Sequence, residues 1–246
     1  MAWTEERLSR LPVKSGFRHR GREMTRLEVF CDAAFAFAVT LLVIAGDGIP
    51  NSYAELVAAL MGAPAFAASF AAIAGFWWAH REWSRRFGLE DGVTTLISLI
   101  LVFVMLVYVY PLKMVFSAFA SWASGGFLPT EFVLTDPRDM LGLFLVYGIG
   151  FAAQTGLLAL LHLRGLRMGA ELGLDEVERL RTRQEIVMNL VLGGTGVASA
   201  VWAVVLPAPV AIYAGFLYMT LPVIMPLLAI RYSHRAAALL AGRAAS

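Results

Sequence analysis

The chain has 246 residues, 59% of them hydrophobic and 15% charged, whereas soluble domains sit nearer about 50% apolar and about 25% charged. A soluble core of this size cannot hold that much apolar surface, so the composition excludes the water-soluble classes and points to a polytopic membrane protein. The net charge of +2 conceals an uneven distribution of 18 Arg and two Lys, and the single Cys31 excludes an internal disulfide or a multi-Cys metal site.

Residues 1–25 are polar and basic, with Arg7, Arg10, Lys14, Arg18, Arg20 and Arg22. They read as an interfacial helix or a loose arm, and a topology-setting flank is a simpler role for them than a lipid-specific motif. Six apolar spans follow, each near the roughly 20 residues a bilayer needs. They cover about 27–46, 62–80, 93–112, 140–162, 186–206 and 209–230. Gly46-Asp47-Gly48-Ile49-Pro50 stops the first, and Pro222 and Pro226 predict a kink in the sixth. Residues 113–139 read as an interfacial loop or short helix, and LDEVERLRTRQE as a charged helix running into span five. The expected division is a basic segment 1–25, a six-helix unit 26–231 and a tail 232–246.

Lys and Arg gather on one side of this layout, 18 against two (Lys113 and Arg138). By the positive-inside rule both termini face the cytoplasm. The abundance of Arg and Ala fits a GC-rich bacterial genome, hence a bacterial cell membrane.

Polar residues within the spans are few. Asp32 lies about five residues into span one, where an unpaired carboxylate is costly. Trp77 and His80 end span two at the matching depth, so the three form either a polar clasp between helices or a proton relay or ion site. At 100° per residue, Phe37, Thr40, Leu41 and Ile44 share one face of span one, and Asp32 points about 140° away from Phe37. Such a stripe packs helices or lines a pore, and a Thr within it commonly bonds its own backbone. Gln154 and Asn189 read as interhelical hydrogen-bonders, His162 as interfacial, and the glycines of spans four and five as close-packing positions. No nucleotide, hydrolase or metal-site spacing is present, so the chain does not read as an enzyme, and neither a cofactor nor nucleic acid is expected.

Arg26-x-x-x-Phe30-Cys31-Asp32, followed by AAFAFAVTLLVI, resembles the R-x-x-x-F-S-D signature of the transmembrane protein 175 family of potassium channels. Trp77-x-x-His80 resembles that family's second-helix W-x-x-H. The resemblance implies an all-α homotetramer in the lipid bilayer, with first helices around a central potassium pore and no carbonyl-lined TVGYG filter. It places the constriction on Phe37, Leu41 and Ile44 and a potassium-favouring hydroxyl on Thr40. Arg26, Phe30, Cys31, Asp32, Trp77 and His80 become the packing network of the pore helix. Three residues depart from the family pattern: Cys31 for Ser, Ala33 for Gly, and Phe37 for Ile or Leu, whose four phenyl rings narrow and dry the pore further. Arg26 lies about 20° from the Phe37 direction, so an acid such as Glu28 or Asp32 of another helix or subunit is expected to neutralise it. Two other functions fit the same residues: a secondary or proton-coupled transporter using Asp32 and His80, and a non-conducting scaffold.

Overall fold

The computed structural model describes residues 3–14, 16–44, 49–130 and 136–244. Apart from a two-stranded hairpin, all its regular elements are helical. Short helix α1 (Glu5–Ser9) and strands β1 (Val13–Lys14) and β2 (Phe17–Arg18) precede α2 (Arg26–Ile44). Then come α3 (Tyr53–Met61), α4 (Ala63–Phe87), α5 (Gly92–Ala123), α6 (Pro137–Arg167) and α7 (Glu176–Val205). The last span comprises α8 (Ala208–Ala211), a 3₁₀ segment (Ile212–Thr220) and α9 (Leu221–Ala244). Among the described residues, five stretches are long and apolar enough to cross a membrane, and six if the pair α3/α4, bent by 44°, is counted as one broken span.

Local chemistry sets the helix starts. Asp91 accepts from the backbone N–H of Val93 and Thr94 at the head of α5. Asp136 and Asp175 form capping boxes on α6 and α7 with Asp139 and Glu178. The Thr25 hydroxyl accepts from the Glu28 N–H at the head of α2. Gly88, at φ +59°, closes α4 in the left-handed conformation that favours glycine.

Helix α2 packs against α4 and α5, α5 against α6, α6 against α7, and α7 against α9. The α6–α7 seam is the closest: a Cβ on Gly148 would stand 2.5 Å from the Gly196 carbonyl oxygen, and one on Gly196 2.7 Å from that of Gly148. Both are among the glycines expected to pack closely, whereas Gly156 and Gly194 have nothing within 4 Å of a would-be Cβ. A ladder of rings fills the centre, with Tyr147 stacked on Phe151, Tyr218 edge-on to both, and Phe151 edge-on to Phe76.

Several details differ from the sequence reading. α5 passes through Pro111 and ends at Ala123 rather than near 112. Prolines are tolerated in membrane helices because neighbouring groups can satisfy the freed carbonyl. α3 was not anticipated. The irregular stretch of the last span is the 3₁₀ segment before Pro222, and α9 then runs through Pro226 to Ala244. Gln154 does bond across helices, to the Leu101 carbonyl, but Asn189 bonds the Glu185 carbonyl of its own helix. His162 is buried against Phe87. Part of the expected stop after span one, residues 46–48, lies outside the described residues.

Candidate functional site

Helix α2 has two faces of different kind. Glu28, Cys31, Phe35, Ala38 and Leu42 are buried, and their alternating spacing of three and four residues puts them on one side of a 3.6-residue helix. Opposite them, Arg26, Val29, Phe30, Ala33, Ala36, Phe37, Thr40, Val43 and Ile44 are exposed on the protomer. Phe37 is 55% exposed and Ile44 68%. Leu41 is only partly buried, at the margin between the faces. The stripe grouped from the sequence therefore falls on the side of α2 that its own bundle leaves uncovered. Thr40 Oγ1 donates to the Ala36 carbonyl at 3.1 Å, within the helix.

The buried side carries the polar attachments. The Trp77 indole N–H of α4 donates to Asp32 Oδ1 at 2.8 Å, so the half-buried carboxylate has a donor from the neighbouring helix. His80, one turn further along α4, takes another partner: its Nε2 lies 3.1 Å from Ser98 Oγ of α5. Asp32 and His80 thus have separate hydrogen-bond partners, one fastening α4 to α2 and the other α4 to α5. Cys31 is fully buried in the apolar cluster that also holds Phe35, whose ring centroid is 6.5 Å from that of His80. Phe30 is 53% exposed, on the outer face with Phe37.

Two further groups, Arg20 ahead of α2 and Glu28 in its first turn, carry no sequence signal that identifies their partners. Glu28 is 4% exposed and its carboxylate sits 3.3 Å from Arg85 Nε of α4. Arg20 is ion-paired to Glu178 of α7 at 3.0 Å with both side chains wholly buried. Both acids expected to offset Arg26 therefore bond elsewhere in the protomer, and among the described residues Arg26 has no ion-pair partner there.

The segment before α2 is built rather than loose. Phe17 packs edge-on to Phe87 at 5.5 Å, under the guanidinium groups of Arg20 and Arg86. Arg18 pairs with Asp175, and its backbone N–H donates to Glu178. Arg86–Glu185 and Arg164–Asp91 pairs join the helices at the same end of the bundle. Removing one partner of a buried pair such as Arg20–Glu178 costs about 3–5 kcal/mol, because the other charge is left stranded.

With this geometry in hand, comparison with known proteins is specific. A potassium channel from Marivirga tractuosa is 33% identical over 215 residues, covering 84% of this chain and 86% of the relative. The family model of the endosomal/lysosomal potassium channel TMEM175 matches residues 26–111, from the first residue of α2 into α5. A crystal structure of a variant of the potassium channel MtTMEM175, in complex with a nanobody–MBP fusion protein, superposes with a TM-score of 0.78 at 31% identity, covering 91% of this chain and all of that one. The chain belongs to the TMEM175 family. Its all-α membrane fold is that of MtTMEM175, and both relatives are potassium channels.

Proposed function

We propose that this TMEM175 member is a potassium-permeable cation channel of a bacterial cell membrane. Four copies assemble with the exposed face of α2 around a central axis and both termini in the cytoplasm. The observation that carries the reading is the one-sidedness of α2: its attachments lie on the buried side, leaving the Phe37–Ile44 stripe free to face other copies.

In this assembly the rings of Phe37, Leu41 and Ile44 form an apolar constriction, which admits ions only when it is wide and wet enough. Thr40 lies one helical turn from Phe37, about 4.5 Å along the axis. Its hydroxyl proton is committed to the Ala36 carbonyl, so the lone pairs of Oγ1 are turned outward. A ring of four such oxygens can replace part of a cation's hydration shell, supplying the potassium preference without a carbonyl filter. Asp32, Trp77 and His80 hold α2 at its angle and need not meet the ion. Arg26 lies at the cytoplasmic mouth on this same face, so its counter-charge belongs to a neighbouring copy.

Reconstitution into liposomes tests this. Native mass spectrometry should give four times the protomer mass, and a potassium gradient should drive flux that a sodium gradient supports less well. A monomer, or a tetramer without flux under voltage in either direction, contradicts the proposal.

A further inference from the structure

The segment leading into α2 is interlocked with the end of α4. The Gly21 N–H donates to the Arg85 carbonyl at 3.1 Å. In return Arg85 Nη1 donates to the carbonyls of Gly21 and Arg22 at 3.2 and 3.4 Å. Only glycine fits here: a Cβ at Gly21 would stand 2.6 Å from the Ser84 carbonyl oxygen. One at Gly88 would stand 3.0 Å from the Gly21 nitrogen. Arg20, the residue before Gly21, is anchored on α7 through Glu178 and on the turn before α7 through the Leu172 carbonyl. The same Arg85 guanidinium reaches Glu28, on the buried face of α2 in its first turn.

We infer that residues 16–25 act as a bracket that sets the position of the first turn of α2, with Arg85 as the positioning residue joining bracket to helix. The inference rests on the reading of α2 as the pore helix. Arg85 touches no ion in this scheme. Its planar fork serves the bracket carbonyls and the Glu28 carboxylate at once, which a single lysine ammonium cannot reproduce. Movement of the bracket against α7 is therefore transmitted to the inner end of α2. The expected consequence is a change in how often the pore opens, with the open pore itself unaltered.

Single-channel recording from the full-length protein in planar bilayers separates the two. Glu28→Gln and Arg85→Gln should each shift the open–closed equilibrium in the same direction by roughly fivefold or more. Unitary conductance and the potassium/sodium reversal potential should stay at wild-type values. The double variant should shift no further than Arg85→Gln alone, and Arg85→Lys should fall between wild type and Arg85→Gln. If Arg85→Gln does not assemble, Glu28→Gln and Arg85→Lys decide the matter alone. An unchanged equilibrium in these variants overturns the bracket. So does an altered conductance or reversal potential at unchanged opening, or additive effects in the double variant. Thr40→Ala, recorded in parallel, distinguishes the two failures: if it leaves selectivity untouched, the pore reading falls, whereas if it alters selectivity while the bracket variants do nothing, the bracket falls by itself. Absence of wild-type currents overturns both.

Discussion

Trp77 donates its indole N–H to the Asp32 carboxylate across 2.8 Å, fastening α4 to α2 at a level where neither side chain is fully exposed to solvent. A Trp77→Phe variant retains a ring but leaves the carboxylate without its donor. The expected loss is about 1–3 kcal/mol, read as a lower midpoint in thermal unfolding of the detergent-solubilised protein. Asp32→Asn keeps an acceptor oxygen and should lose less. A Trp77→Phe midpoint equal to wild type would remove the clasp.

Much of this arrangement was legible in the sequence because it is local or follows from depth in the membrane. Helical periodicity groups Phe37, Thr40 and Ile44, span lengths predict six crossings where the structure has five long apolar stretches and the bent α3/α4 pair, and matching depth pairs Asp32 with Trp77. What the sequence did not disclose are partners far apart along the chain. Nothing near Arg20 names Glu178, nothing near Glu28 names Arg85, and His80 could not be assigned to Ser98 rather than Asp32 without the position of α5. The third span is expected over about 93–112, and its continuation to Ala123 is not legible because a proline within an apolar run, Pro111 here, looks the same whether it ends a helix or is absorbed by one. The basic residues before α2 read as a flank because their count bears on topology, whereas their fold depends on Phe17 finding Phe87.

The α6–α7 seam makes a separate prediction. Gly148→Val forces side-chain atoms into the Gly196 backbone and should cost several kcal/mol, enough to lower the yield of folded protein. Gly194 has nothing within 4 Å of its would-be Cβ, so Gly194→Ala should be tolerated. Size-exclusion profiles after extraction compare the two, and equal behaviour would contradict the close approach.

His19 supplies a pH dependence. Burial lowers its pKa from the usual 6.5, and the nearby cations Arg86, Lys14 and Arg85 lower it further against the opposing effect of Glu82. The detached segment thus binds a proton more readily than the docked one. Docking is favoured fully above about pH 6.5 and weakens as pH falls below that value toward the depressed one. The thermal midpoint of the wild type should therefore drop more between pH 7.5 and 5.5 than that of His19→Gln. Equal drops would remove His19 from the account.

Cysteine accessibility maps the outer face of α2. Cys31, the only native thiol, is fully buried, so wild-type currents should be insensitive to charged methanethiosulfonate reagents. Thr40→Cys should be modified and its current reduced, whereas Leu42→Cys, on the buried face, should be protected. The opposite ranking would place another surface around the ion path.

The central claim is that potassium passes the exposed stripe of α2. It is tested most directly by single-channel recording of wild type, Phe37→Ala and Thr40→Ala in one lipid composition under a potassium/sodium gradient. Removing four phenyl rings should raise unitary conductance several-fold, and removing four hydroxyls should move the reversal potential toward loss of potassium preference. Wild-type conductance and reversal potential in both variants would contradict it.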